Sequence, residues 1–243
     1  MRLFGLIGYP LSHSFSKKYF SDKFLSEGIS GCEYDIFPIE EISRLPGLIA
    51  AHPQLEGLNV TIPYKEKVIS YLSDCTEVVK AINACNCIQI RDGRLIGHNT
   101  DVTGFGFILK KQLKSIHKNA LVLGNGGAAK AVQFVLQQNG ISYLNVSRTK
   151  TPGNLIYDEI NAEILSRFTL VINTTPLGMY PNINEVPLLP YDAVTKNHLF
   201  IDLIYNPAKT LFLQNAEERG ASIQNGGEML VVQAEESWKI WNQ

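Results

Sequence analysis

The stretch Asn59-Val-Thr-Ile-Pro-Tyr-Lys65 places an amide, a hydroxyl and an amine at a spacing that suits acid/base chemistry. The apolar residues 55–60 predict a short buried strand that leads into it, and Pro63 suits the first turn of a helix. Lys65 would then lie where the helix dipole disfavours a cation and lowers the pKa of the amine. A solvated lysine at an ordinary helix start is the alternative interpretation, because short motifs give false matches.

Two further groups have the chemistry to complete such a site. Asp101 follows a hairpin, whose turn is Asp92-Gly93, and precedes a helical pattern at residues 102–113. It is either the N-cap of that helix or a carboxylate that pairs with Lys65 and keeps a proton available. Ser12 and Ser14 precede a helix expected at residues 15–27. One hydroxyl is enough to cap that helix, whereas both together suit the binding of a carboxylate.

A glycine cluster follows the β-rich run 119–123 and precedes a run of helix formers. This stretch, Gly124-Asn125-Gly126-Gly127-Ala128, predicts the turn of a dinucleotide-binding βαβ unit, in which the backbone and the helix N-terminus receive a pyrophosphate. Ala129 stands where the third glycine of the motif would be, and alanine is accepted there.

The residues after the next expected strand, Ser147-Arg148-Thr149-Lys150, bear on which nucleotide is bound. An NAD site would carry Asp or Glu near this point, whereas an arginine accommodates the 2′-phosphate of NADP. The sequence therefore predicts NADP rather than NAD, with a solvated polar loop as the alternative. Thr174 begins a loop after a further strand expected at 168–173, on the side where open α/β sheets bind ligands.

Composition bounds the class of protein. The chain has 243 residues, of which 45% are apolar and 19% charged, which is enough for one large domain or two modest ones. A formal net charge of −1 gives no support for nucleic-acid binding. No apolar run reaches membrane-spanning length, and the N-terminal run is too short for a signal peptide, so we expect a cytoplasmic protein.

The fold expected from these elements is α/β, because strands alternate with helices along most of the chain. Of the four cysteines, Cys85 and Cys87 are two apart and would share one face of a strand. Because no second Cys or His pair has zinc-like spacing, we expect buried free thiols and no metal site, with metal binding as the alternative.

Taken together, these blocks resemble the shikimate dehydrogenase family, and the resemblance covers nearly the whole chain. It implies that Lys65 and Asp101 are the catalytic pair and that Ser12 and Ser14 bind the substrate carboxylate. It also implies a set of residues around the substrate ring, with Asn59 in a supporting place: Asn59, Thr61, Asn86, Tyr205 and Gln233. On the cofactor side it implies contacts from 124–128 and Ser147 to Lys150, with Leu203 and Gly226 near the nicotinamide.

The resemblance further implies two domains with the active site in the cleft between them. Residues 1–101, joined by a C-terminal helix at 226–243, would bind substrate, and residues 102–225 would form a Rossmann-type NADP-binding domain. Two residues depart from the family pattern, Cys87 for a threonine and Ser147 for an asparagine. In the segment 151–167 a strand expected at 155–160 leaves no room for the usual crossover helix, which puts the shape of the adenosine pocket in doubt.

The function implied is reversible, NADP-dependent reduction of 3-dehydroshikimate to shikimate, in the pathway to chorismate and the aromatic amino acids. We expect a small-molecule substrate, no nucleic-acid or membrane partner, and a homodimer as an open alternative to a monomer. Two other functions remain open at this point: a quinate/shikimate dehydrogenase that uses NAD, and a non-catalytic ligand sensor with the same fold.

Overall fold

Strands and helices alternate along most of the chain in the computed structural model, which describes residues 1–11 and 14–243. The chain divides into an N-terminal unit, Met1–Thr100 with Gln233–Gln243, and a middle unit, Asp101–Val232. The sequence placed residues 226–232 and Asp101 in the first domain, whereas this division places them in the middle unit. The reason lies in the last helix, because Met229 is buried in the core of the middle unit, whereas Ala234 and Trp241 are buried in that of the N-terminal unit.

The N-terminal unit is built on one six-stranded sheet. Its strands are β1 (Arg2–Gly8), β2 (Cys32–Pro38), β3 (Leu55–Val60), β4 (Asp74–Cys75), β5 (Cys87–Arg91) and β6 (Arg94–His98). Their order is β2-β1-β3-β5-β6-β4, with β1 parallel to β2 and β3, and β5 antiparallel to both β3 and β6. The ends of β1, β3 and β6 and the start of β5 therefore lie at one edge of this sheet.

Helices cover both faces of that sheet. They are α1 (Phe15–Ser26), α2 (Leu45–Ala51) and α3 (Glu77–Ile82), with short 3₁₀ helices at Ile42–Arg44 and Lys67–Tyr71. One core holds Leu3, Leu58 and Cys85, and the other holds Phe4, Cys87 and Trp241. Cys85 and Cys87 thus face opposite sides, contrary to expectation, because β5 begins only at Cys87. All four cysteines are free.

The chain after β3 also departs from the sequence-based expectation. No α-helix begins at Pro63; the first regular turn is the 3₁₀ helix that starts at Lys67. The carbonyl of Lys65 instead accepts a hydrogen bond from the amide of Cys85, at 2.7 Å, which ties it to the neighbouring segment rather than to a helix. The prediction that Lys65 lies in the first turn of a helix is therefore wrong.

The middle unit is a wholly parallel six-stranded sheet. Its strands are β7 (Asn119–Leu123), β8 (Ser142–Ser147), β9 (Asn154–Ile156), β10 (Leu170–Asn173), β11 (Leu199–Asp202) and β12 (Ser222–Gln224). The order β12-β11-β10-β7-β8-β9, read from β9, is the 3-2-1-4-5-6 order of dinucleotide-binding folds. The predicted α/β class with a Rossmann-type sheet is confirmed.

Helices lie on both faces of this second sheet. They are α4 (Asp101–Gln112), α5 (Gly127–Gln138), α6 (Ala162–Arg167), α7 (Leu211–Glu217) and α8 (Gly227–Trp241), with 3₁₀ helices at Tyr157–Glu159 and Tyr191–Ala193. Apolar residues of α4, α5 and the start of α8 share one core, and those of α6 and α7 share the other.

The connection between β8 and β9 confirms the missing crossover helix, since only residues 148–153 separate these parallel strands. The strand expected at 155–160 is shorter, and α6 follows it unpredicted. Within residues 1–11 and 14–243, no helix is long and apolar enough to cross a membrane.

Candidate active site

Several of the predicted substrate residues lie in the chain next to strand ends at one edge of the N-terminal sheet. Ser14 and Thr61 follow β1 and β3, Asn86 precedes β5, and Thr100, the residue before Asp101, follows β6. Ser12 lies outside the described residues. Ser14 caps α1, because its hydroxyl accepts a hydrogen bond from the amide of Lys17 at 3.3 Å.

Thr61 and Lys65 are held by backbone contacts at this edge. The amide of Thr61 donates to the carbonyl of Ile7 at 2.9 Å, which joins the ends of β1 and β3. A Cβ at Gly8 would lie 2.5 Å from the methyl group of Thr61, so only glycine fits beside it. Lys65 is half-buried, and its bond from Cys85 fixes it next to Asn86. Hydrogen bonds of the backbone thus hold both Thr61, with the predicted hydroxyl, and Lys65, with the predicted amine.

Asn86 fixes the residue that precedes Asp101. Its side-chain nitrogen donates to the Thr100 hydroxyl at 3.0 Å, and its side-chain oxygen accepts from the Thr100 amide at 2.7 Å. The same hydroxyl lies 3.4 Å from the side-chain oxygen of Gln233, which is buried. Asp101 is 6% exposed and opens α4, where the helix dipole favours a carboxylate. It is thus the first helical residue rather than the N-cap.

Asn59 is occupied by buried partners. Its side-chain oxygen accepts from the Tyr34 hydroxyl at 2.8 Å, and its nitrogen donates to the Ser237 hydroxyl at 3.0 Å and to the Asn86 carbonyl at 3.4 Å. Asn59 is only 4% exposed. We therefore withdraw it from the substrate contacts, because its amide is used to hold β3 to the strand and helix beside it.

The glycine turn of the middle unit lies at the point where the strand order reverses. Gly124, directly after β7, has φ of +109°, and a Cβ there would lie 2.6 Å from the Thr174 hydroxyl after β10. That hydroxyl donates to the carbonyl of Leu123 at 2.6 Å. Gly126 is the N-cap of α5, and a Cβ there would meet no heavy atom within 4 Å. The turn therefore offers helix amides and open space for an anion, which fits the pyrophosphate of a dinucleotide.

Two side chains of the predicted 2′-phosphate loop, residues 147–150, already make hydrogen bonds or ion pairs within the protein. The buried Ser147 hydroxyl donates to the carbonyl of Thr149 at 2.7 Å and accepts from the side-chain nitrogen of Asn154. Lys150 pairs with both carboxylate oxygens of Glu159, at 2.6 and 2.8 Å. Arg148 is exposed and makes no ion pair with any described residue. Arg148 is thus the cation of this loop most available to a phosphate, and Ser147 is corrected to a residue that shapes the loop.

Leu203 follows β11, Gly226 follows β12, and the two residues lie against each other. The amide of Gly226 donates to the carbonyl of Ile204 at 3.0 Å. A Cβ at Gly226 would lie 2.6 Å from the carbonyl carbon of Leu203 and closer still to its oxygen, so a side chain there has no space. Tyr205, also in the middle unit, is 38% exposed, and burial raises the pKa of its phenol, which keeps it neutral near pH 7.

A buried polar network behind these loops was not found from the sequence. It joins Asp202, at the end of β11, to Asn173, at the end of β10, and to Thr210, the N-cap of α7. The sequence signal that could have revealed this network is Asp202 itself, an acid at the end of an otherwise apolar strand. Within the described residues, no group of three His, Cys, Asp or Glu side chains is arranged to hold a metal.

Comparisons with known proteins agree with this geometry. Residues 6–88 match the model of the shikimate dehydrogenase substrate binding domain. A shikimate dehydrogenase (NADP(+)) from Clostridium beijerinckii is 40% identical over 256 residues, covering 100% of this chain and 93% of the relative.

Two solved structures are similar to nearly the whole of this chain. A crystal structure of a shikimate dehydrogenase in complex with NADP+ has a TM-score of 0.87 and 32% identity, covering 99% of this chain and 90% of the other. The shikimate 5-dehydrogenase of Thermus thermophilus, in complex with NADP(H) and shikimate, has a TM-score of 0.87 and 29% identity, covering 99% and 93%.

Proposed function

The chain belongs to the shikimate dehydrogenase family, and we propose that it catalyses the reversible, NADP-dependent reduction of 3-dehydroshikimate to shikimate. The observation that carries this conclusion is the 40% identity, over the whole chain, to an NADP-dependent relative with that activity in its name. The reaction is a step of the shikimate pathway, which leads to chorismate and the aromatic amino acids.

The middle unit would hold the cofactor, which supplies the hydride when bound. The amides of 124–128 would receive the pyrophosphate, with Thr174 beside them. Arg148 would face the 2′-phosphate, and Thr149 and Lys150 follow it in the same loop. Leu203 and Gly226 would lie near the nicotinamide. What supports these assignments is that every one of these residues follows the carboxyl end of a parallel strand.

Lys65 would donate a proton to the carbonyl oxygen as the ketone becomes a hydroxyl, and would take it back in the reverse direction. Asp101 would hold the amine in place. This role is supported by the hydrogen bonds that fix Thr100, its neighbour in the chain, to Asn86. Thr61, Asn86, Tyr205 and Gln233 would position the ring, and Ser12 and Ser14 the carboxylate.

An absorbance assay of NADPH oxidation with 3-dehydroshikimate tests the activity. We expect Lys65→Ala to lower kcat by about 10²–10⁴-fold, the usual contribution of a general acid or base, with a much smaller change in KM. Lys67→Ala is the matched control, since Lys67 is an exposed lysine two residues further on, and it should keep its turnover. A flat trace with folded wild-type protein would refute the function, and near-normal turnover of Lys65→Ala would refute the role of Lys65.

We also propose that the protein works in the cytoplasm and assembles as a homodimer. The four free cysteines suit a reducing compartment. Large exposed apolar side chains, of which Leu25 on α1 and Leu188 are examples, offer surface for self-association. Light scattering after gel filtration would test the dimer, and a monomeric mass would exclude it.

A further inference from the structure

Asp202 is a fully buried carboxylate at the carboxyl end of β11, with 0% exposure. One of its oxygens accepts from the amide of Ile204 and from the side-chain nitrogen of Asn173, both at 3.1 Å. The other accepts from the hydroxyl of Thr210 at 2.6 Å. A buried acid is costly unless donors surround it, and here two donors come from one side and one from the other.

The two sides of the carboxylate lead to different parts of the middle unit. Asn173, on one side, accepts from the amide of Thr175 at 3.0 Å and from its hydroxyl at 2.7 Å. The side-chain nitrogen of Asn173 also lies 3.4 Å from the carbonyl of Leu177. Thr210, on the other side, caps α7 by accepting from the amide of Leu213 at 3.4 Å.

The first side therefore reaches the two loops that the proposed function places against the cofactor. The loop after β10 begins with Thr174, whose hydroxyl packs against the glycine turn, and the loop after β11 begins with Leu203. We propose that Asp202 is a positioning residue for NADP, whose carboxylate fixes both loops from behind through Asn173 and the amide of Ile204. This inference rests on the proposed function, because it takes from it the side of the sheet at which the cofactor binds.

The network favours a residue that accepts hydrogen bonds on both side-chain oxygens, as a carboxylate does. Asn173 and the Ile204 backbone donate N–H bonds to one oxygen, and the Thr210 hydroxyl donates to the other. Burial raises the pKa of Asp202 to about 6, against the effect of its three donors, so the acceptor form prevails at neutral pH. Burial and then the charge of Asp202 raise the pKa of the Tyr191 phenol, which therefore stays neutral and adds no charge beside Asp202.

Two substitutions separate the loop side of the network from the helix side. Asn173→Ala removes the link between Asp202 and the loop after β10, whereas Thr210→Val removes the donor on the α7 side and leaves the loop bonds in place. We expect Asn173→Ala to raise the Kd for NADPH, measured by quenching of tryptophan fluorescence or by calorimetry, by about tenfold, the loss of about one good hydrogen bond to a binding surface. Thr210→Val should stay within about twofold of wild type in the same measurement.

Asp202→Asn provides rescue by a conservative change, since its side-chain oxygen can still accept from Asn173 and Ile204. It should bind NADPH more tightly than Asp202→Leu, which leaves both donors without an acceptor. The KM for 3-dehydroshikimate should change little in all four variants. Urea unfolding of each variant reports the structural cost separately.

The possible results separate a failure of the proposed function from a failure of the positioning role of Asp202. If wild-type protein fails to bind NADPH, the proposed function fails. If wild type binds and the Kd of the variants simply follows their loss of stability, with Thr210→Val as impaired as Asn173→Ala, the positioning role of Asp202 is overturned. The Asn173 and Thr210 variants keep the test open even if Asp202→Leu does not fold.

Discussion

Gly226 allows a direct test of how tightly the loops of the middle unit are packed. A Cβ at this position would lie 2.6 Å from the carbonyl carbon of Leu203 and 3.1 Å from its Cα, where ordinary contact begins at 3.4 Å. The Leu203 backbone would have to move by about 0.8 Å or more. It is held in place by the hydrogen bond from its own N–H to the carbonyl of Asn173, at 3.0 Å. Overpacking of this kind costs about 1–3 kcal/mol, and an obstacle made of backbone favours the upper part of that range.

We therefore expect Gly226→Ala to lower the unfolding free energy by about 2–3 kcal/mol, or the Tm by about 5–10 °C for a unit of this size. The KM for NADPH should rise as well, because Leu203 is displaced. Gly106→Ala is the matched control in the same unit. A Cβ at Gly106, inside α4, meets only Val135 at 3.9 Å, so alanine should stabilise the helix by about 0.5–1 kcal/mol.

Thermal and urea unfolding of the two variants beside wild type would measure these changes. The same chemical substitution should change the stability with opposite signs at these two glycines of one unit. A Gly226→Ala protein that unfolds within about 1 °C of wild type would show that the packing against Leu203 is looser than the structure indicates. A loss of equal size in Gly106→Ala would point to a general intolerance of alanine instead.

Three further expectations concern charge and buried polarity. Because burial raises the pKa of Asp202 from 3.8 to about 6, the stability that the neutral acid contributes is full below pH 3.8 and is lost as the pH rises through 6. Between pH 4 and pH 7.5 the unfolding free energy of wild type should therefore fall by about 2 kcal/mol relative to that of Asp202→Asn in urea unfolding, and parallel pH profiles would contradict this. Arg148→Ala should weaken NADPH binding by about tenfold while leaving NADH binding unchanged, whereas equal losses for both would exclude a 2′-phosphate contact. Asn59→Ala should destabilise the N-terminal unit by about 2–3 kcal/mol with little effect on the KM for substrate, and a large rise in KM without loss of stability would restore Asn59 to the substrate site.

Much of the fold follows from local rules that the sequence displays. The Asp92-Gly93 turn adopts positive φ at both residues, +49° and +72°, as a two-residue hairpin requires. The glycine turn at 124–127 sits between a strand and a helix as predicted, because its backbone conformation depends on the glycines themselves. The missing crossover helix before β9 was visible as a simple shortage of residues between two strands.

The remaining features depend on partners far away in the chain. The sequence predicts Asn59 as a site residue beside Thr61 and Lys65, but its side-chain nitrogen is bonded to Ser237, 178 residues away. The sequence also places Lys65 in the first turn of a helix, but its carbonyl accepts a hydrogen bond from the amide of Cys85. Periodicity and capping signals describe neighbours along the chain, so they miss polar contacts that only the packed sheet creates.

The last helix has a consequence for the order in which the protein is made. Trp241 donates its indole N–H to the carbonyl of Ile88 at 3.0 Å and stacks on Phe4 at 5.0 Å, over a strand where Gly57 has no room for a side chain. The middle unit is one uninterrupted piece of chain, whereas the N-terminal sheet gains this cover only from residues that follow the middle unit. On the ribosome the middle unit can therefore complete its core while the part of the N-terminal sheet beneath Trp241 is still uncovered.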